Sequence, residues 1–197
     1  LGIAGDQPIA GRWTNDMTHT GVGVFRPSNG LIYLKKDLST GFADFTMVLG
    51  IPGDIGVAGD WDGNELDSPG VYRPTSSTFF LSNKVLNGSV FGDYSLVLGF
   101  TGDVPIMGDW TSQGRAGVGV FRPSNGQIYL KNALRTGYAN VGMTFGIAND
   151  VPVAGHWSSA SGAPDAANLI VSAASAPIAT AAPAPRIEHP SAPGYDG

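Results

Sequence analysis

Apolar residues along this chain stand in short runs separated by Gly, Pro, Asn and Asp, and residues 1–157 show no convincing helical face. Runs of this kind, rich in β-branched and aromatic residues, are typical of short strands rather than helices. In one well-preserved stretch the pattern predicts four antiparallel strands, at 104–110, 118–122, 127–131 and 142–147. The Pro-Ser-Asn-Gly sequence at 123–126 predicts a turn, because Asn-Gly tolerates positive φ.

The same pattern returns at a nearly constant period. The tryptophans recur 48, 49 and 47 residues apart, and each closes a copy of one phrase: GDQPIAGRW, GDIGVAGDW, GDVPIMGDW and NDVPVAGHW. A second phrase follows at a similar offset: GVFRPSNGLIYLK, GVYRPTSSTFFLS and GVFRPSNGQIYLK. Such a period marks a repeat architecture, in which each unit buries its faces against its neighbours. Four antiparallel strands in about 48 residues match the size of a propeller blade. The predicted fold is therefore an all-β, propeller-like array of four-stranded antiparallel blades.

The repeats and a change in composition divide the chain into three parts. Residues 1–157 hold three blade repeats and the first strand of a fourth. Residues 158–175 form a degenerate transition in which 166–174 could make one more strand, and residues 176–197 form an Ala/Pro-rich tail that we expect to be extended. The chain begins inside a repeat, which we interpret as an exported, processed protein, with a fragment of a longer chain as the alternative.

Composition and charge exclude several classes of function. The formal charge of −5 and the sequence pI near 4.9 argue against nucleic-acid and anionic-membrane surfaces, which need basic patches. The absence of cysteine excludes disulfides, thiolate metal sites and cysteine nucleophiles. No apolar stretch approaches the roughly 18 residues of a membrane-spanning helix, so we expect none.

Two segments resemble a known repeat family. Gly59-Asp60-Trp61-Asp62-Gly63-Asn64 precedes GVYRP at 70–74, and Gly-Asp-Trp at 108–110 precedes GVFRP at 119–123. In these segments the chain resembles the FG-GAP/VCBS-like β-propeller repeats of bacterial surface and secreted proteins, over residues 1–157. The resemblance implies a propeller fold and an extracellular or cell-surface location. It leaves function open, because such propellers serve adhesins, lectins, integrin-like heads and enzyme appendages.

The resemblance also implies a candidate calcium site. In that family the loop after the first strand can hold Ca²⁺ through alternating Asp and Asn side chains, and Asp60, Asp62 and Asn64 keep this pattern. Glu65 stands where the family prefers Gly, and the corresponding loops of the other units have lost the pattern. The alternative, which we favour, is an Asx-type turn that satisfies its own backbone.

Arginines and tryptophans recur once in every complete unit. Arg26, Arg73 and Arg122 are interpreted as structural, each forming a bidentate pair with a carboxylate, with Asp60 and Asp109 as available partners. Binding of a sugar or a carboxylate is the alternative. The tryptophans are interpreted as blade core, with a carbohydrate platform as the alternative, at Trp13, Trp61, Trp110 and Trp157.

Catalytic signals are weak. The three histidines occupy unrelated positions, at His19, His156 and His189, and no catalytic triad, HExxH motif or phosphate-binding loop can be assembled. The sequence therefore predicts a non-enzymatic protein. A carbohydrate-active enzyme remains a third hypothesis, because propellers host such enzymes.

The leading functional prediction is a non-enzymatic extracellular repeat protein that self-associates head-to-tail into a fibre-like surface or secreted assembly. Three units and one further strand cannot close into the usual ring of about four to eight blades, so an open stack would expose apolar end faces. The tail is expected to lie against another copy of the chain, through Ile178, Ile187 and Tyr195. The alternative is a lectin or adhesin head that binds a ligand such as carbohydrate, with the tail as a linker.

Overall fold

The computed structural model describes residues 1–155 and one short strand at 169–170. All regular structure in these residues is β-strand. The first unit contains β1 (Gln7–Gly11), β2 (Gly21–Arg26), β3 (Leu31–Lys35) and β4 (Phe45–Val48). The second contains β5 (Ile55–Gly59), β6 (Ser68–Arg73), β7 (Thr78–Leu81), β8 (Gly88–Ser89) and β9 (Tyr94–Val97). The third contains β10 (Val104–Gly108), β11 (Gly117–Arg122), β12 (Gln127–Lys131) and β13 (Val141–Thr144), and β14 (Leu169–Ile170) follows.

Each unit folds into one antiparallel sheet whose strands lie in chain order. The sheets run β1-β2-β3-β4, β5-β6-β7-β9 and β10-β11-β12-β13. The prediction of an all-β chain with four antiparallel strands per unit is thus confirmed. Two sheets gain a fifth strand: β8, which the sequence did not predict, adds to β4 in parallel, and β14, within the possible strand at 166–174, adds to β10 in antiparallel orientation.

The strand register is the same in all three units. The first residue of the first strand lies opposite an aromatic residue of the second, in the pairs Gln7–Phe25, Ile55–Tyr72 and Val104–Phe121. The last residue of the first strand pairs with the first residue of the second, so the connecting loops cover 12–20, 60–67 and 109–116. Equivalent side chains of the three units therefore occupy equivalent places.

The hydrophobic cores lie between consecutive sheets. One cluster joins Phe25 and Met47 of the first unit to Ala58 and Val71 of the second. The other joins the second unit to the third and includes Trp61. The backbones approach closely here, because a Cβ added at Gly56 would overlap Phe25. Face-to-face packing of sheets is therefore the main apolar interaction of the fold.

The tryptophans differ in burial along the array. Trp13 and Trp61 are buried within the clusters between sheets, whereas Trp110 is half-buried and its indole N–H donates to the Val118 carbonyl (3.1 Å). Trp110 is thus less buried than the tryptophans at the same repeat position of the first two units. Trp157 lies outside the described residues.

The outer face of the third sheet repeats positions that are buried in the other two. Met47 and Leu96 are fully buried, but their counterpart Met143 is 43% exposed. Residues 151–155 begin to cover this face: Ala154, the counterpart of Ala58, is 4% exposed. Residues 151–155, the described part of the predicted first strand of a fourth unit, form no strand, although Val151 to Val153 line a cavity with Phe121, Ile128 and Phe145 of the third unit.

Two predicted parts of the chain are not described. The transition 158–175 is described only at β14, which falls inside the predicted strand 166–174. The tail 176–197, with its proposed anchors Ile178, Ile187 and Tyr195, lies outside the described residues.

Candidate functional site

An aspartate–arginine pair recurs at the same end of every sheet. In each unit the arginine Nε and Nη2 donate to the two oxygens of one carboxylate at 2.8–2.9 Å, in the pairs Arg26–Asp6, Arg73–Asp54 and Arg122–Asp103. The same carboxylates also accept a backbone N–H from three residues earlier in the chain. Each aspartate side chain is almost completely buried, so the pair fixes the entry of the first strand against the end of the second.

The carboxylate partner differs from the one expected from the sequence. Asp60 and Asp109 pair with none of the three arginines, because they follow β5 and β10 at the far end of each sheet. The register explains the observed partner: Ile55 lies opposite Tyr72, which places Asp54 opposite Arg73. A recurring Asp-to-Arg spacing of 19 or 20 residues was the sequence signal that could have identified this pair.

The same guanidinium groups also make cation–π contacts with aromatic rings. Arg26 lies over Tyr33 at 4.5 Å and Arg73 over Phe80 at 4.6 Å, measured to the ring centroid. Arg122 lies between two rings, Phe100 and Tyr129, at 4.8 Å from each. The hydrogen bond from Arg26 lowers the pKa of Asp6, although burial opposes this effect. The arrangement is an ion pair between a buried aspartate and a partly buried arginine, whose side chain is 20% exposed in Arg122.

The loop with the calcium pattern folds as a self-capped turn. Asp60 accepts the backbone N–H groups of Gly63 and Asn64 on Oδ1 and of Glu65 on Oδ2. Asn64 Oδ1 accepts the N–H of Leu66, while Asp62 is exposed. Asp60 and Asn64 thus accept hydrogen bonds from backbone N–H groups of their own loop. This is the arrangement of an Asx-type turn, the alternative to a calcium site. Among residues 1–155, no group of three or more His, Asp or Glu side chains comes together as metal ligands.

In the equivalent loop of the third unit an aspartate also accepts backbone N–H groups, although the alternating pattern of Asp and Asn is absent. Asp109 accepts the N–H of Thr111 on Oδ1 and that of Gly114 on Oδ2. Burial raises the pKa of Asp109, but the backbone hydrogen bonds outweigh this and lower it. Asp109 therefore holds the start and the end of this loop through backbone N–H groups.

These loops also join each sheet to the next. The N–H of Asp67 donates to the Arg12 carbonyl (2.8 Å), and the N–H of Ala116 donates to the Asp60 carbonyl (2.7 Å). Asp67 and Ala116 stand immediately before β6 and β11, so the same bond is repeated at both sheet interfaces. This hydrogen bond between sheets is therefore a property of the repeat.

Asp67 is the acidic residue at this hydrogen bond between sheets. Burial raises the pKa of its carboxyl group, and the negative charge of Asp60 raises it further. Raising a carboxyl pKa in the folded state means that the ionised form destabilises the fold at neutral pH. We therefore expect Asp67→Asn to raise the melting temperature at about pH 7, since asparagine retains an acceptor for the Arg12 N–H.

The gain from Asp67→Asn should shrink as the pH falls toward and below the ordinary carboxyl value of 3.8, where the native aspartate is protonated as well. Thermal denaturation followed by circular dichroism at several pH values measures this. Asp62→Asn, an exposed change in the same loop, is the charge-matched control and should have little effect. A lower melting temperature for Asp67→Asn at neutral pH would show that the charge is favourable.

A cavity that the sequence did not predict lies between the second and third sheets. It measures about 390 Å³ and opens beside β9. Its wall combines β9 and the following residues with the loop before β13, and includes Phe100, Arg122, Tyr129, Thr136 and Tyr138. Apolar walls with a few convergent polar groups are typical of ligand sites.

An exposed aromatic side chain occupies the loop before the last strand in every unit. Phe42 and Tyr138 are 96% and 97% exposed, and Phe91 is 84% exposed. The sequence signal was the recurrence of Gly-Phe-Ala and Gly-Tyr-Ala at 41–43 and 137–139.

Of the three histidines considered from the sequence, only one lies in the described part of the chain. His19 is exposed in the first loop, and His156 and His189 lie outside the described residues. The part of the chain that is described contains no helix long and apolar enough to cross a membrane. No family model, curated protein or solved structure matches this chain.

Proposed function

We propose that this chain is a non-enzymatic, extracellular structural repeat protein whose sheets are consecutive blades of a propeller-like array. Copies associate head-to-tail, the end face of the third sheet meeting the first sheet of another copy. The extracellular location rests on the resemblance to surface and secreted repeat proteins. The self-association rests on the two end faces of the described array.

The exposed end of the third sheet is the observation that carries the proposal. Phe145 is 75% exposed, whereas its counterpart Leu98 is 6% exposed and its counterpart Leu49 packs against the first core cluster. Met143 shows the same contrast with Met47 and Leu96. An apolar face that is buried twice within one molecule and exposed a third time is suited to a further sheet.

The first sheet offers the complementary face. Val22 is 39% exposed, whereas its counterpart Val118 is fully buried between the second and third sheets. Val24 is half-buried, while its counterparts Val71 and Val120 are fully buried. The two internal interfaces therefore offer a template for the contact between copies, and they support another copy of the chain as the occupant.

Residues 151–155 limit how this contact forms. Val151 to Val153 line a cavity with Phe121, Ile128 and Phe145, and Val153 is 67% exposed. A second copy must pack beside this segment, over Met143 and Phe145, rather than displace Ala154. Such a heterologous contact uses different faces on the two partners and generates rings or filaments.

A single charge on the exposed face tests the proposal. Phe145→Asp should reduce association strongly, because a carboxylate would lose its hydration in an apolar interface, while the exposed position spares the fold. Sedimentation velocity of the variant should give the mass of one chain, 20.3 kDa. Phe42→Asp, an equally drastic change in the exposed loop of the first unit, is the matched control and should associate like the unmodified chain. Equal association of both variants would show that the face around Phe145 takes no part in the assembly.

A lectin or adhesin head is the second candidate, favoured by the exposed aromatic side chain at one repeat position in each unit. Aromatic faces are suited to stacking on sugar rings, and the spacing would present several such faces to one polysaccharide. Replacing Phe42, Phe91 and Tyr138 together with serine should abolish retention on a polysaccharide column if this candidate is correct. Unchanged retention, or none with the unmodified chain on any polysaccharide tested, would count against it.

A further inference from the structure

The groove between the first and second sheets is filled by the chain itself. β8 pairs with β4 in parallel through Met47–Gly88 and Val48–Ser89. The next residue, Val90, donates its N–H to the Val48 carbonyl (3.0 Å), and its side chain is buried in the first core cluster. A Gly-Ser-Val segment thus adds to the edge of the first sheet and inserts one branched aliphatic side chain.

The equivalent segment between the second and third sheets neither forms a parallel strand nor carries an aliphatic side chain at this point. Measured back from the paired last strands, Thr136 stands at the position of Ser89, and Gly137 at that of Val90. The Thr136 hydroxyl accepts the N–H of Val97 (3.1 Å), and no parallel strand pairs with β9 among the described residues. Gly137 carries no side chain to fill the space, and the cavity of about 390 Å³ lies there.

We propose that the β9 edge and this cavity form a binding site for an extended peptide segment. The segment adds parallel to β9, as β8 does to β4, takes the Val97 N–H from the Thr136 hydroxyl, and inserts a branched aliphatic side chain into the cavity. The required chemistry is two small residues followed by valine or isoleucine, as in Gly88-Ser89-Val90. Main-chain hydrogen bonds supply affinity in strand addition, and side-chain pockets supply specificity.

The walls of the cavity agree with this occupant. Leu98, Phe100 and Tyr129 offer apolar surface to an aliphatic side chain. The Val97 carbonyl, equivalent to the acceptor used by Val90, receives no N–H from the third unit within residues 1–155. Tyr138, at the mouth, is 97% exposed and can cover a bound segment. A bound segment would therefore make at β9 the same parallel pairing that β8 makes at β4.

A synthetic peptide of residues 85–93 is the probe, because it contains the segment that fills the first groove. We expect isothermal titration calorimetry with the full chain to detect saturable binding. A peptide carrying Val90→Asp should bind at least about tenfold more weakly, since it loses the buried aliphatic group. Hydrogen–deuterium exchange should show protection of the amides of β9, at residues 94–97, on addition of the first peptide.

A change on the protein side gives a second test. Ala139→Leu narrows the cavity and should weaken peptide binding, whereas Ala43→Leu, at the equivalent position of the first unit, should not. Tryptophan fluorescence and thermal denaturation establish that both variants are folded, and the Val90→Asp peptide tests the site without any variant. Absence of binding, equal binding of both peptides, or protection at β4 instead of β9 would overturn the proposal. Protection of the β9 amides by an oligosaccharide but not by the peptide would also overturn it.

Discussion

Replacing Trp61 with alanine is expected to lower the free energy of unfolding by about 4 kcal/mol, within the range for truncating a large buried aromatic side chain. Trp61 is fully buried between the second and third sheets, where Ala116 of the third unit packs close to it. Its indole N–H has no partner within the described residues, so the loss is one of packing. Chemical denaturation measures the change.

Trp110→Ala is the matched control, because the same residue type stands at the same repeat position with less cover. Trp110 is half-buried, and we expect its replacement to cost about 2 kcal/mol. The difference between the two variants reports how much of the stability comes from packing between sheets. Equal losses would contradict the account that the core lies between sheets.

Replacing Arg73 with alanine is expected to cost about 3 kcal/mol, because it leaves the buried carboxylate of Asp54 without its bidentate partner. The loss arises mainly because the Asp54 carboxylate stays buried without a counter-charge, and only in small part from the net stabilisation that the ion pair provides. Adding Asp54→Asn to Arg73→Ala should therefore recover part of the stability. Chemical denaturation of the single and double variants measures both effects.

Arg73→Lys separates charge from geometry at the same position. Lysine keeps the positive charge but lacks the planar fork that reaches both oxygens of Asp54, so an intermediate loss is expected. If Arg73→Ala leaves stability unchanged while it abolishes binding of a sugar or a carboxylate, the arginines are ligand-binding groups rather than structural ones.

The strands could be predicted from the sequence because each is short, rich in β-branched and aromatic residues, and bounded by turn residues. Strands β10, β11 and β12 lie within a residue or two of their predicted bounds, and β13 ends three residues early, at Thr144. The early end has a local cause: Thr144 pairs with Gln127, the first residue of β12, and beyond it the partner chain turns at 123–126, where the Phe145 amide bonds to the Gly126 carbonyl.

The partner of the recurring arginine could not be read from proximity to the tryptophan. Asp60, the carboxylate of the repeated Gly-Asp-Trp phrase, lies at the opposite end of β5 from Arg73. Only the strand register brings Asp54 beside it, and register is a property of pairing between segments rather than of either segment.

The cavity beside β9 could not be predicted because it depends on a difference between units. The loop before the last strand contains Val90 in the second unit and Gly137 in the third, and the sequence shows this substitution only once the last strands are aligned. Its consequence, a filled groove in one place and an open one in the next, arises from the packing of two sheets.

The mass of the unmodified chain in solution tests the central claim most directly. Sedimentation velocity over a range of concentrations should show species heavier than one chain of 20.3 kDa, and their share should grow with concentration. This follows if the exposed face at Phe145 packs on another copy. A single species of 20.3 kDa at every concentration would contradict head-to-tail assembly.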